Sequence, residues 1–210
     1  MRIKKKKLNL KKKISILMIS SSSVIGGGTK HMFSLGNNLG SEFKVFYAIP
    51  ENTNFVRFLN PGNHIFISER KLTFKDIFNL NKFLIENSID IVHAHGKGAG
   101  AIARILLIFK KKPLIYTFHG IHLKCHNPLK RFFYILYEYL LGGLDSKKVL
   151  VSNSEKKYAL KNIVETARKY QDDESVIIGV IDGDDSLCNP DAVGLRHARQ
   201  RQHHVRALLA

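Results

Sequence analysis

The sequence predicts an α/β fold: a parallel β-sheet with helices on both faces, followed by a short irregular C-terminal extension. Three observations predict it. Within residues 14–164, apolar runs of strand length alternate with longer runs of helical periodicity, the signature of repeated βα units. The strand-length runs are apolar throughout, as strands buried on both faces are. With 210 residues, 44% hydrophobic and 24% charged, the chain has the composition of an ordinary globular protein and enough length for a packed core.

Residues 14–20 (ISILMIS) read as a fully buried first strand, followed by a Ser/Gly loop, SSSVIGGGTK. Residues 31–39 then place Met32, Leu35 and Leu39 on one helical face. Phe43–Ile49 is a second strand, closed by Pro50. Residues 74–87 align Ile77, Leu80, Phe83 and Leu84 as a helix, and 89–94 (IDIVHA) form the next strand. A helix over 98–109, a strand over 114–118, a long amphipathic helix over Pro128–Leu141 and a strand over 148–151 complete the pattern, with a further helix starting at SNSEKKY. The aromatic helix at 131–141 reads as core packing, although a basic, aromatic helix also suits a membrane surface.

Charge divides the chain. Lys+Arg 34 against Asp+Glu 17 gives +17, which favours polyanionic partners without choosing among lipid head groups, nucleotide phosphates and nucleic acid. Residues 1–164 carry +19 and are rich in Lys, whereas residues 165–210 carry −2 and use Arg. The division predicted is a basic arm at 1–13, an α/β domain at 14–164 and a distinct segment at 165–210. Nucleic acid is disfavoured, because the lysine runs lie outside the α/β core and no nucleic-acid-binding fold is recognisable. The arm has eight cations and no acid, which suits an anionic membrane surface. Two cysteines, Cys125 and Cys188, make no disulfide framework. No window is long enough for a signal peptide's apolar core or a membrane span, so a cytoplasmic protein is expected, peripheral on the inner face of the cell membrane if the arm engages it.

Candidate binding residues fall at the carboxyl ends of strands, where open α/β sheets place their ligands. Gly26-Gly27-Gly28 lies between the first strand and its helix, and the absence of a Cβ lets a ligand approach backbone N–H groups there. His93 and His95 end the strand IDIVHA and would share a side if the strand continued to His95. A His-x-His pair can hold a metal, but no carboxylate lies between Ile91 and Tyr137, which favours ligand contact or helix-entry hydrogen bonds instead. Gly96-Lys97-Gly98-Ala99-Gly100-Ala101 fits a dinucleotide fingerprint only superficially, since the acid that should follow about twenty residues later is missing. His119 follows the strand LIYTF, where a histidine can donate to a phosphate or sugar oxygen or act as a base. Gly27, Gly28, His95 and His119 are therefore expected to line one cleft.

Four stretches in order, ILMISSSSVIGGGTKHMFSLGNNL, IDIVHAHGKGAGAIARIL, PLIYTFHGIH and VLVSNSEKKY, together resemble the N-terminal domain of the family 4 glycosyltransferases. These are retaining enzymes built from two Rossmann-like domains facing a cleft, the GT-B arrangement. The resemblance implies one half of such an enzyme, hexosyltransferase-like and belonging to cell-surface polysaccharide or lipopolysaccharide synthesis. In the family this half mainly binds the acceptor, often lipid-linked, while the other half binds the sugar nucleotide and carries two glutamates eight positions apart. No Glu here has a second Glu eight residues on, and the 46 residues after 164 are too few for a second Rossmann domain. A truncated chain, inactive unless a separate partner supplies the donor domain, is expected. The segment ESVIIGVIDGDDSLCNPDAV is similar instead to the Asp-x-Asp region of family 2 glycosyltransferases, which implies Asp182 and Asp184 as ligands of Mg²⁺ or Mn²⁺.

Overall fold

A computed structural model describes residues 12–119 and 128–151, together with the two-residue strand Val176–Ile177. The order of elements is β1 (Ile14–Ile19), α1 (Gly27–Asn37), β2 (Phe43–Ile49), β3 (His64–Phe66), α2 (Phe74–Glu86), β4 (Ile91–His95), α3 (Lys97–Leu107), β5 (Leu114–Thr117), α4 (Pro128–Leu141), β6 (Lys147–Val149) and β7 (Val176–Ile177). The strands form one sheet in the order β3-β2-β1-β4-β5-β6-β7, and every pairing is parallel. The expected α/β class therefore holds. The segment expected to be distinct contributes β7 to this same sheet, next to β6.

Strand alternation divides the core between the two faces of the sheet. Leu17, Ile19, Phe46, Ala48, Val92, Ala94, Leu114 and Tyr116 point to one face, where Leu80 and Leu84 of α2 and Ile102, Ala103, Leu106 and Leu107 of α3 cover them. Ile16, Met18, Tyr47 and Ile49 point to the other, against Met32 and Phe33 of α1. Ser15 and Asp90 lock the entry of β1 to β4, with the Ser15 N–H donating to Asp90 Oδ2 at 2.8 Å and the Asp90 N–H to the Ser15 carbonyl at 2.8 Å.

Several boundaries differ from the sequence reading. α1 starts at Gly27 and not at His31, so the glycines form its first turn. The reason is Thr29, whose hydroxyl accepts from the Gly26 N–H at 3.0 Å and donates to the Val24 carbonyl at 2.9 Å, closing the helix entry. β3 was not anticipated, since three residues flanked by turns carry no periodicity. β4 starts at Ile91 and reaches His95, so His93 and His95 do share a face. Two glycines of the false dinucleotide motif serve close packing of α3: an added Cβ at Gly100 would lie 2.8 Å from the Tyr116 ring, and one at Gly98 would overlap the Ser21 hydroxyl. The helix read as core packing does so on one side only. Tyr134 and Ile135 of α4 meet the core, whereas Leu129, Phe132, Phe133, Tyr139 and Leu140 are exposed. No helix among the described residues is long and apolar enough to cross a membrane.

A buried ion network fastens α4 and its exit to α3. Arg104 is 0% exposed, and its guanidinium donates from Nε to Asp145 Oδ1 at 2.9 Å and from one terminal nitrogen to Asp145 Oδ2 at 2.6 Å and Glu138 Oε2 at 2.8 Å. Its carbon also lies 4.9 Å and 5.0 Å from the ring centres of Tyr116 and Tyr137. Burial opposes the charge, but the hydrogen bonds and charges of the two carboxylates outweigh it and keep Arg104 protonated. Lys148 completes the network, donating to the Gly142 carbonyl at 2.6 Å and lying 3.4 Å from Asp145. Replacing Arg104 by Met removes the cation, leaving the buried Glu138 carboxylate without it and Asp145 with Lys148 alone. We expect a loss of about 3–5 kcal/mol in urea denaturation; a loss below about 1 kcal/mol would show that the network carries no stability.

Candidate functional site

The strand order reverses between β1 and β4: β2 and β3 lie on one side of β1, and β4 to β7 lie on the other. The connections leaving β1 and β4 diverge there, which opens a crevice at the carboxyl edge of the sheet. Gly26 to Gly28, His95 and His119 all fall at this edge, and the structure brings them together. His95 Nδ1 and His119 Nε2 are 3.1 Å apart and share a hydrogen bond. The His119 ring also lies against α1, where a Cβ on Gly28 would stand 3.1 Å from His119 Cγ. A side chain at Gly28 would press on the His119 ring and push it aside by a few tenths of an ångström. His119 itself has φ 50°, a left-handed conformation that turns the chain out of β5 and aims the ring back at α1.

His31 joins this group and was missed by sequence reasoning. Its ring centre is 5.7 Å from that of His95 and 5.1 Å from that of His119. The signal was present but depended on the start of α1: once the helix begins at Gly27, Gly28 and His31 are i, i+3 neighbours on one face. Among the described residues, His31, His95 and His119 form a group whose potential ligand atoms lie within 4.8 Å of one another. His93, the other member of the His-x-His pair, turns to Thr117 instead, with 2.8 Å between Nε2 and the threonine hydroxyl, and packs its ring 4.1 Å from that of His95.

His93, His95 and His119 are neutral at physiological pH. Burial lowers the His93 pKa to about 3, assisted by repulsion from His31 and His119. Burial likewise pushes His95 well below the usual histidine range, with the neighbouring rings adding to it, and takes His119 to about 3. Rings held in this way are poor bases but good neutral donors and acceptors, and lone-pair ligands for a metal. His95 Nε2 is buried and has no hydrogen-bond partner among the described residues.

The serine loop after β1 is tied to Glu69 by hydrogen bonds. The Ser23 N–H donates to Glu69 Oε1 at 3.3 Å, its hydroxyl donates to the same oxygen, and Asn52 donates to Oε2 at 3.1 Å. The hydrogen bonds from Ser23 and then Asn52 hold Glu69 below its ordinary range. Gly96 has φ 85°, which only glycine adopts at little cost, and it turns β4 into α3 directly beneath His95. Gly27 is open, with nothing within 4 Å of an added Cβ. The first-turn N–H groups of α1 have no acceptor within the helix and carry the positive end of its dipole toward the crevice. Asp182 and Asp184, expected as ligands of Mg²⁺ or Mn²⁺, lie outside the described residues, as do the basic residues before Lys12.

The strand order and its edge define a doubly wound, Rossmann-like domain with a polar, Gly-lined crevice at its switch point. The chain belongs to Glycosyltransferase Family 4, whose model matches residues 25–168. Among solved structures, it resembles Alr3699/HepE of Anabaena in complex with UDP and glucose, with TM-score 0.55 and 11% identity over 79% of this chain and 44% of that one. It also resembles a putative UDP-N-acetylglucosamine 2-epimerase from Listeria monocytogenes, with TM-score 0.51 and 17% identity over 78% of this chain and 43% of that one. At such identities the likeness concerns the fold. The chain spans less than half the length of these structures. No curated protein matches it in sequence.

The contrast between the two neighbouring glycines is testable. Gly27→Ala adds a methyl group in open space within a helix and should stabilise by roughly 0.5–1 kcal/mol. Gly28→Ala gains the same helical preference but must displace the His119 ring. It should be at least about 1 kcal/mol less stable than Gly27→Ala in thermal or urea denaturation; equal stabilities would show that His119 does not rest on Gly28.

Proposed function

We propose that this chain forms the acceptor-side wall of a retaining sugar-transfer enzyme of cell-surface polysaccharide or lipopolysaccharide synthesis. Its crevice takes a sugar acceptor, lipid-linked and carrying phosphate, while a sugar nucleotide is held by a donor-side domain across the cleft. The observation that carries this reading is the meeting of the α1 N-terminus, His95 and His119 at the switch point of a Family 4 domain. In this reading the N–H groups of Gly27 and Gly28 meet an anionic oxygen of the acceptor. Neutral His119 and His95 hydrogen-bond its hydroxyls and hold the attacking oxygen in place, and the apolar sheet beneath them excludes water. Transfer requires both substrates to be aligned across the cleft, so binding energy from this wall alone gives no turnover.

The test uses the purified full chain. It should show no turnover of UDP-glucose or of a GDP-sugar, and no saturable binding of either, but should bind a short-chain lipid diphosphate sugar in saturation-transfer NMR. His119→Ala should weaken that binding about 10-fold, the worth of one lost hydrogen bond. Turnover of a sugar nucleotide by this polypeptide alone would overturn the reading.

A membrane-bound acceptor also calls for contact with an anionic surface. Two features support this: the basic arm at 1–13 and the exposed apolar face of α4, where Phe132 is 60% and Leu140 65% exposed. Salt-sensitive sedimentation with vesicles of 30 mol% phosphatidylglycerol, on the order of physiological acidity for such a surface, should fall on deleting 1–13 and again on changing Phe132, Phe133 and Leu140 to Ser. Unchanged sedimentation of both variants would remove the membrane from the account.

A further inference from the structure

We propose that His31, His95 and His119 form a binding site for a transition-metal dication of the zinc class, with a coordination position open to the crevice. The three rings come from three separate elements: the first turns of α1, the end of β4 and the turn after β5. A tetrahedral ion with Zn–N arms of about 2.0 Å has ligand-to-ligand edges of roughly 3.3 Å. The His95–His119 pair, at 3.1 Å, already stands at such an edge. The ligand atom of His31 lies within 4.8 Å of both, and a rotation of its side chain closes the set.

The chemistry of the donors agrees. Three imidazoles with no carboxylate among them suit zinc, cobalt or nickel and do not suit Mg²⁺, which takes hard oxygen ligands. The proton shared by His95 and His119 would move to the other nitrogen of its own ring, so each ring keeps its neutral charge and no proton is released. His95 is the buried hub: one nitrogen faces His119, and the other has no partner among the described residues. The ring of His93, itself bonded to Thr117, packs at a tilt 4.1 Å from that of His95 and limits its rotation. Three protein ligands leave the fourth position for water or for an oxygen of whatever occupies the crevice. This inference does not rest on the sugar-transfer reading, because the site is defined by the three rings alone.

Isothermal titration of Zn²⁺ into the metal-free full chain at pH 7.5, with Co²⁺ absorption as a spectroscopic reporter, tests it. One equivalent should bind with micromolar or tighter affinity, Co²⁺ should show the intense visible bands of a tetrahedral site, and Zn²⁺ should raise the melting temperature. His31→Ala, shown by far-UV circular dichroism to fold without metal, should weaken Zn²⁺ at least 10-fold and abolish the Co²⁺ bands. His119→Ala should do the same to binding. A chain with His203 and His204 both changed to Ala should bind as the wild type does. Absence of one-equivalent binding, or binding that survives His31→Ala and disappears with the His203 and His204 changes, would overturn the proposal.

Discussion

Everything at the carboxyl edge depends on one constraint of the sheet: the chain leaves β1 in one direction to build β2 and β3, then returns to place β4 on the other side of β1. Because all strands are parallel, their carboxyl ends share an edge, and because the crossovers part at β1 and β4, that edge is uncovered there. No separate device is needed to open the crevice. The crossovers themselves require continuous burial of both sheet faces, which the apolar runs of β1, β2, β4 and β5 provide. The same arrangement makes charged groups near the crevice costly, because the buried sheet faces offer them no water.

Two buried polar clusters show how that cost is met. On the α3 face, Arg104 is a full charge without solvent, tolerable because two carboxylates from α4 and the loop before β6 surround it. On the α1 face, the histidines lose their charge altogether, so the core holds rings and hydrogen bonds in place of ions. The first solution fastens a helix. The second leaves nitrogen lone pairs and N–H groups at the rim of a crevice, where a ligand can reach what the core does not use.

The strands were legible because burial on both faces leaves an unmistakable apolar run, and the glycines and strand-end histidines were legible because such sheets bind at that edge. What was not legible has physical reasons. β3 is three residues long and exists through pairing with β2, which no local pattern records. The start of α1 was misplaced because glycine suggests a loop, whereas Thr29 supplies the hydrogen bonds that make Gly27 helical. That error hid His31. Arg104, Glu138 and Asp145 stand far apart in sequence, so their meeting is a product of tertiary packing alone.

Membership of Glycosyltransferase Family 4 and the doubly wound sheet agree with one another, and within that sheet His95 and His119 meet at 3.1 Å. Their closeness follows from β4 and β5 being neighbours in register, with His95 opposite Thr117 and His119 two residues beyond. The central claim is that these strand ends meet as a buried, dehydrated histidine cluster at the crevice. The most direct measurement is ¹⁵N NMR of the histidine rings in the folded chain across pH 7.5 to about 5, well below the ordinary histidine pKa of about 6.5. The account predicts that His93, His95 and His119 keep neutral-ring shifts throughout. Conversion of His95 and His119 to imidazolium near pH 6.5 would show two solvated, separate side chains and would contradict it.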